Sequence, residues 1–260
     1  MGTAIQEELV TLAASASPRV LVWFSCGASS AVAAALAVGR WPAQANIISC
    51  NTRKSEHPDN ERFIRDVERW IQRPIIDIQS AKYETVDQVF EGERYMSGIA
   101  GAKCTVELKK RPRFTFQRAD DIHVFGYTAE EGKRIARMEK ANPELTFEWN
   151  LRDQTITKGE CFRILKRAGI RLPEMYELGF EHNNCLGCVK SQSPAYWQRT
   201  AKLFPDVFAR RARQSREIGA RLVKVYGVRM FLDELNLGNE YEKGDGDIEC
   251  GPLCLFDNAA

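Results

Sequence analysis

The chain has 260 residues, 44% of them hydrophobic, which is enough for one large α/β domain with a small appendage. A formal net charge of +2 excludes a surface that binds polyanions through overall charge, so any basic site must come from local clustering. The start Met1-Gly2-Thr3-Ala4-Ile5-Gln6-Glu7-Glu8 lacks the basic segment of a secretory signal. The longest apolar run, Ala31 to Val38, falls far short of the roughly 20 residues of a membrane span, so a cytoplasmic location without membrane contact is expected.

Strand and helix signals alternate along the first two thirds. Arg19-Val20-Leu21-Val22-Trp23-Phe24 is a short β-rich run, and the Ala-rich stretch Ala31 to Val38 that follows is a strong helix former. Asn46 to Cys50 reads as a second buried strand. Pro58 suits the first residue of a helix running to Ile71, with Phe63, Ile64, Val67, Trp70 and Ile71 on one face. Pro74 to Ile78 is a third strand and Ile122 to Gly126 a fourth. Helical pattern resumes from Ala129 to Ala141, and Thr157 with Glu160 makes a capping box for a helix ending near Gly169. This alternation predicts βαβ crossovers: a doubly wound, mostly parallel sheet with helices on both faces.

From about residue 170 the alternation stops. Pro173, Pro194 and Pro205 divide the chain into short pieces, Arg210, Arg211, Arg213 and Arg216 crowd one expected helix, and the tail from Asp233 is acidic and glycine-rich. No internal repeat or low-complexity linker is visible. The chain therefore divides into an α/β domain, residues 1–170, and a C-terminal cysteine-containing helical subdomain with a tail, residues 171–260.

Eight cysteines in a cytosolic chain should be reduced. Cys26, Cys50, Cys104 and Cys161 stand alone, and isolated cysteines are usually small buried hydrophobes. Cys185 with Cys188, and Cys250 with Cys254, form tight pairs of the kind that bind metal or do redox chemistry. The turn Ser25-Cys26-Gly27-Ala28-Ser29-Ser30 after the first strand lets backbone N–H groups approach an anion at a helix N-terminus, or is an ordinary tight turn; it lacks the Gly-Lys-Ser/Thr ending of a Walker A motif. Lys109, Lys110, Arg111 and Arg113, with Lys133, Arg134 and Arg137, are either phosphate-gripping charges or a solvated helix face. His57, His123 and His182 show no catalytic spacing, and His123 reads as a satisfied core residue. Tyr196 and Trp197 read as core packing ahead of base stacking.

These motifs carry a resemblance. PP-loop ATP pyrophosphatases have Ser-Gly-Gly-x-Asp-Ser after their first strand. Ser25-Cys26-Gly27-Ala28-Ser29-Ser30-Ala31-Val32 is more similar to the Ser-Phe-Gly-x-x-x-Ala-Val of the phosphoadenosine phosphosulfate reductases, which also lack the Asp. Cys50-Asn51-Thr52 with Glu56 and Pro58 resembles the family's Asp-Thr-Gly-x-Glu-x-Pro segment. Lys103 to Lys109 resembles its Cys-Thr-x-x-Leu-Lys element, and Gly126-Tyr127-Thr128-Ala129-Glu130-Glu131 its Gly-x-Arg-x-x-Glu, with Thr128 in place of Arg. Glu249-Cys250-Gly251 is similar to the reductases' terminal Glu-Cys-Gly, though no His follows. The matches run in family order from about residue 19 to 254.

The resemblance implies a PP-loop, adenine nucleotide alpha hydrolase-like fold and reductive sulfur chemistry on an adenylyl sulfate. Ser25, Cys26, Gly27, Ala28, Ser29, Ser30, Cys50, Asn51, Thr52, Gly126 and Arg134 would bind the nucleotide. Cys250, Lys109 and Arg111 would be catalytic. Cys104, Cys185, Cys188 and Cys254 would hold a [4Fe–4S] cluster; the alternatives are a zinc knuckle formed by the two cysteine pairs, or unmetallated thiols. A nucleophilic Cys250 and a ligand Cys250 exclude one another. A thiol reductant such as thioredoxin, and a homodimer, are compatible with this reading. The alternatives for the whole chain are an ATP- and cluster-dependent sulfurtransferase that thiolates a tRNA or DNA base, with Arg210, Arg211 and Arg213 as its nucleic-acid face, or a zinc-stabilised nucleotide-binding module.

Overall fold

The computed structural model describes residues 18–98, 101–242 and 244–245. Its centre is a five-stranded, all-parallel sheet of β1 (Val20–Trp23), β2 (Ala45–Cys50), β3 (Ile75–Ile78), β6 (Ile122–Phe125) and β7 (Thr146–Glu148), in the order β3-β2-β1-β6-β7. β1 is apolar at every position because both its faces are covered, as a central parallel strand requires. Alternation sorts its side chains: Val20, Val22 and Phe24 join one core, Leu21 and Trp23 the other.

The first core is closed by α1 (Ala28–Arg40), α2 (Asn60–Ile71) and α7 (Lys158–Arg167). Ala28, Ala31, Ala33, Ala34 and Ala37 of α1 are fully buried, and their small size lets this helix lie close to β1. The capping box of α7 is formed: Glu160 N–H donates to Thr157 Oγ1 at 3.2 Å, and Thr157 N–H to Glu160 Oε2 at 2.7 Å. Helix α2 begins at Asn60, two residues after Pro58, which sits in the preceding turn. The opposite face carries α5 (Gly132–Ala141) and Trp149.

A second core joins distant stretches of chain. Tyr83, α3 (Val86–Glu93), a ribbon of β4 (Ser97–Gly98) and β5 (Gly101–Ala102), and Leu108 pack against Met175, Phe180, Cys185, Cys188 and the helices α9 (Pro194–Leu203) and α10 (Pro205–Ile218). Leu108 belongs to α4, a continuous helical stretch over residues 103–116 interrupted by a π turn at Val106–Lys110. A hairpin of β8 (Val223–Val225) and β9 (Val228–Met230) follows α10. Tyr196 and Trp197 are buried in this core, as expected. Among the described residues no helix is long and apolar enough to cross a membrane.

Candidate active site

The strand order reverses between β1 and β6, and in open parallel sheets the crevice beyond the carboxyl ends at such a point is where ligands bind. Here a cavity of about 360 Å³ opens, within the size range of small-molecule sites. Its floor is the turn between β1 and α1. Cys26 adopts a left-handed backbone (φ 59°), which costs an L-residue about 1–2 kcal/mol. A buried relay holds it there: Asn183 Nδ2 donates to the Cys26 carbonyl at 2.7 Å and to Asn60 Oδ1 at 2.8 Å, Asn60 Nδ2 donates to Glu56 Oε2, and Thr52 Oγ1 to Glu56 Oε1. Glu56 thus braces the turn.

Ser30 organises the turn from inside. Its Oγ accepts from the backbone N–H groups of Ser25 and Gly27, each at 3.2 Å, and donates to the Gly27 carbonyl at 2.9 Å. Gly126, at the end of β6, lets that strand touch the helix: a Cβ there would lie 2.6 Å from the Ser30 nitrogen. The first-turn N–H groups of α1 have no intrahelical acceptor and lie at the positive end of a 13-residue helix. Ser25, Gly27, Ser29, Ser30 and Gly126 line the cavity. Cys26 instead turns its thiol to the Asn60 carbonyl, and burial pushes that thiol well up.

Three cations border the cavity: Lys109 from α4, Arg134 from α5 and Lys158 from the first turn of α7. Arg134 lies over the Tyr127 ring at 4.2 Å and pairs with Glu131 at 2.7 Å. Both carboxylates at the rim are engaged by the protein itself. Glu131 Oε2 accepts from the Thr128 backbone N–H and hydroxyl, and Glu130 Oε2 from the Lys158 backbone N–H. His182, Tyr176, Asn183 and Asn184 close the far side. Asn183 Oδ1 and Asn184 Nδ2 are buried without a hydrogen-bond partner, a condition that a polar ligand would relieve. Burial lowers the pKa of His182 below the ordinary range, reinforced by Lys158. These C-terminal residues belong to no motif that would associate them with the β1–α1 turn.

Lys109 also borders a second, much smaller cavity, which Cys104, Cys185 and Cys188 line together with Lys190. The turn between Cys185 and Cys188 is held firmly. Leu186 N–H donates to the Ser55 carbonyl, Cys188 N–H donates to the Tyr196 hydroxyl at 2.6 Å, and Gly187 takes φ +63° where a Cβ would strike Val207 at 2.8 Å. The set's chemistry suits a thiophilic metal and two ammonium groups suit thiolates, but among the described residues no three His, Cys, Asp or Glu side chains converge to hold a metal. Cys250 and Cys254, the expected nucleophile and fourth ligand, lie outside the described residues.

No protein-family model matches the chain, and no curated protein matches its sequence significantly.

Other expected site residues fall elsewhere. Arg111 does not join Lys109: residues two apart on a helix point to opposite sides, and Arg111 is 65% exposed, paired with Glu107 and bordering a separate surface depression with Lys82. Arg113, four residues after Lys109, is buried instead, with Nε and Nη1 unpartnered, and burial pulls its guanidinium down to about 10. Cys50 and Thr52 border a minor depression beside β2, and Thr52 also the three-cysteine cavity, rather than the cavity at the β1–α1 turn. Asn51 accepts from the Arg53 N–H through Oδ1, an Asx turn. His123 is buried but half satisfied: its Nδ1 accepts from Trp23 Nε1 at 3.0 Å while Nε2 has no partner. The arginines of α10 are largely engaged internally: Arg211 and Arg210 pair with Asp87, and Arg216 with Asp233 and Glu234.

Proposed function

We propose that the chain binds an adenine nucleotide bearing a charged sulfate or phosphate group at the start of α1, and performs thiol-dependent sulfur chemistry on it, as a phosphosulfate reductase-like enzyme. The observation that carries this reading is Lys109, which borders both the nucleotide-sized cavity and the cavity of three cysteines. One ammonium group would thus stand between the activated anion and the thiols.

In this reading the α1 N-terminus, Lys109, Arg134 and Lys158 hold the anionic end of the nucleotide, and Asn183 and Asn184 meet its polar groups. A thiolate attacks the sulfur of an adenylyl sulfate, forming an S–S bond as the S–O bond to the nucleotide breaks. The nucleotide leaves with that electron pair. A dithiol reductant of the thioredoxin kind then displaces sulfite and is itself oxidised to a disulfide. The resemblance assigns the attacking thiol to Cys250. An iron–sulfur cluster on Cys104, Cys185, Cys188 and Cys254 belongs to the same proposal and would supply electrostatic or redox support.

Base thiolation through ATP is the competing reading. A pyrophosphatase needs Mg²⁺ held near the phosphates, but Glu130 and Glu131, the carboxylates at this rim, are already committed to capping and pairing. That engagement favours the sulfonucleotide. Incubation with adenosine phosphosulfate, a dithiol and no Mg²⁺ should yield sulfite and AMP; AMP and pyrophosphate from Mg–ATP instead would establish the pyrophosphatase.

A further inference from the structure

The β8–β9 hairpin has features that packing does not explain. Its turn, Tyr226-Gly227, has positive φ at both residues (47° and 86°), the signature of a type I′ turn. Gly227 adopts this freely, whereas a tyrosine at the first position is held in a backbone conformation that L side chains rarely take. Nothing in the fold compensates: Tyr226 is 89% exposed, and its side chain makes no hydrogen bond or ring contact among the described residues.

Behind the tip, the register pairs Lys224 directly with Arg229. Like charges facing each other across a ribbon oppose its formation. Neither cation, nor Arg221 at the base, forms an ion pair with any described residue. The nearest acids in sequence, Asp233 and Glu234, are taken by Arg216. Alternation puts the two cations on one face and Val223, Val225, Val228 and Met230 on the other, where Val228 is 63% exposed.

We infer that this hairpin is a binding finger for single-stranded nucleic acid, with Lys224 and Arg229 on the phosphates and Tyr226 stacking on a base. An exposed aromatic beside unpaired cations matches the chemistry of a strand with free bases: every base has a π-face, and the backbone supplies the missing counter-charge. An acidic protein would satisfy the cations but leave the strained tyrosine without a purpose. The finger is rooted beside the thiols. Lys224 N–H donates to the Gln192 carbonyl, four residues after Cys188, and Val223 lies in the same core as Cys185 and Cys188. The inference stands apart from the nucleotide reading, because no residue of the hairpin lines the cavity at the β1–α1 turn.

The test is fluorescence anisotropy of the full chain with a labelled 20-nucleotide single strand over a salt series. Tyr226→Ala should weaken binding about 5- to 150-fold, the range for one stacked base, and Tyr226→Phe should retain it. Lys224→Ala with Arg229→Ala should flatten the salt dependence by about 1.4 in the log–log slope, as two lost phosphates require. None of the three variants should lower the thermal midpoint, and the loss of the facing like charges should if anything raise it. No binding, binding indifferent to Tyr226, or equal displacement by polyglutamate would overturn the inference, the last in favour of an acidic protein partner.

Discussion

Gly126→Ala probes the junction on which the candidate site is built. The added methyl would lie 2.6 Å from the Ser30 nitrogen, 2.7 Å from its Cα and 2.8 Å from the Ser29 carbonyl carbon. All three are backbone atoms, so no rotamer change relieves the clash. Either β6 or the first turn of α1 must move by about 1 Å to restore ordinary carbon contacts of roughly 3.5–4.0 Å. Overpacking of this kind costs about 1–3 kcal/mol, read as a lower urea midpoint at unchanged slope. The displaced turn is also the one that presents its N–H groups to the cavity, so nucleotide affinity should fall by about tenfold or more. Gly132→Ala is the control: nothing lies within 4 Å of its Cβ and it opens α5, so it should be neutral or stabilising by up to about 1 kcal/mol. If Gly126→Ala unfolds at the wild-type midpoint and binds as well, the close approach of β6 to α1 is not a feature of the folded protein.

Four further outcomes are expected, three from the geometry and the last from the proposed cluster. Lys109→Ala should weaken sulfonucleotide binding by about 1.5–3 kcal/mol, the range for hydrogen bonds to a charged group, and Arg111→Ala by less than about 0.5 kcal/mol; calorimetric titration in which the two variants are equally impaired would contradict the helix register. Burial lowers His123 from 6.5 to about 4, so the folded protein binds fewer protons than the unfolded chain between those values. The corresponding stability is fully present above about pH 6.5 and is lost as pH falls toward 4, on the order of 3 kcal/mol at 1.36 kcal/mol per pH unit; denaturation curves for His123→Gln should lack this slope. His182 is held neutral near pH 7 by burial and by Lys158, and an anion in the cavity favours its protonated form. Affinity should therefore rise as pH falls below the ordinary histidine range in wild type and stay flat in His182→Gln; identical profiles would remove His182 from the site. Anaerobically purified protein should carry about four irons per chain that Cys104→Ser abolishes, whereas stoichiometric zinc surviving that substitution would support the zinc knuckle.

The sheet was legible because its strands are short apolar runs bounded by clear helix signals. β7 escaped because Thr146–Glu148 is a three-residue edge strand with polar ends, too short for a period to register. The hairpin was hidden for a related reason: Tyr-Gly is not among the turn pairs that announce a type I′ turn. For the candidate site, the β1–α1 turn and Gly126 could be found from local sequence, since small residues mark close backbone approach. Arg111 stands apart from Lys109 because residues two apart on a helix point to opposite sides, a separation that a run of basic residues does not display until its helical register is known. Asn183, Asn184, Tyr176 and His182 reach the cavity from a segment without periodicity, so only the three-dimensional structure associates them with α1.

We propose that this cavity takes an adenylyl sulfate and not Mg–ATP. Calorimetric titration with adenosine phosphosulfate, its 3′-phosphate form and ATP, each with and without Mg²⁺, tests it directly. A sulfonucleotide should bind without Mg²⁺ and more tightly than ATP, and Lys109→Ala should weaken it. Binding of Mg–ATP alone would rule out the sulfonucleotide site.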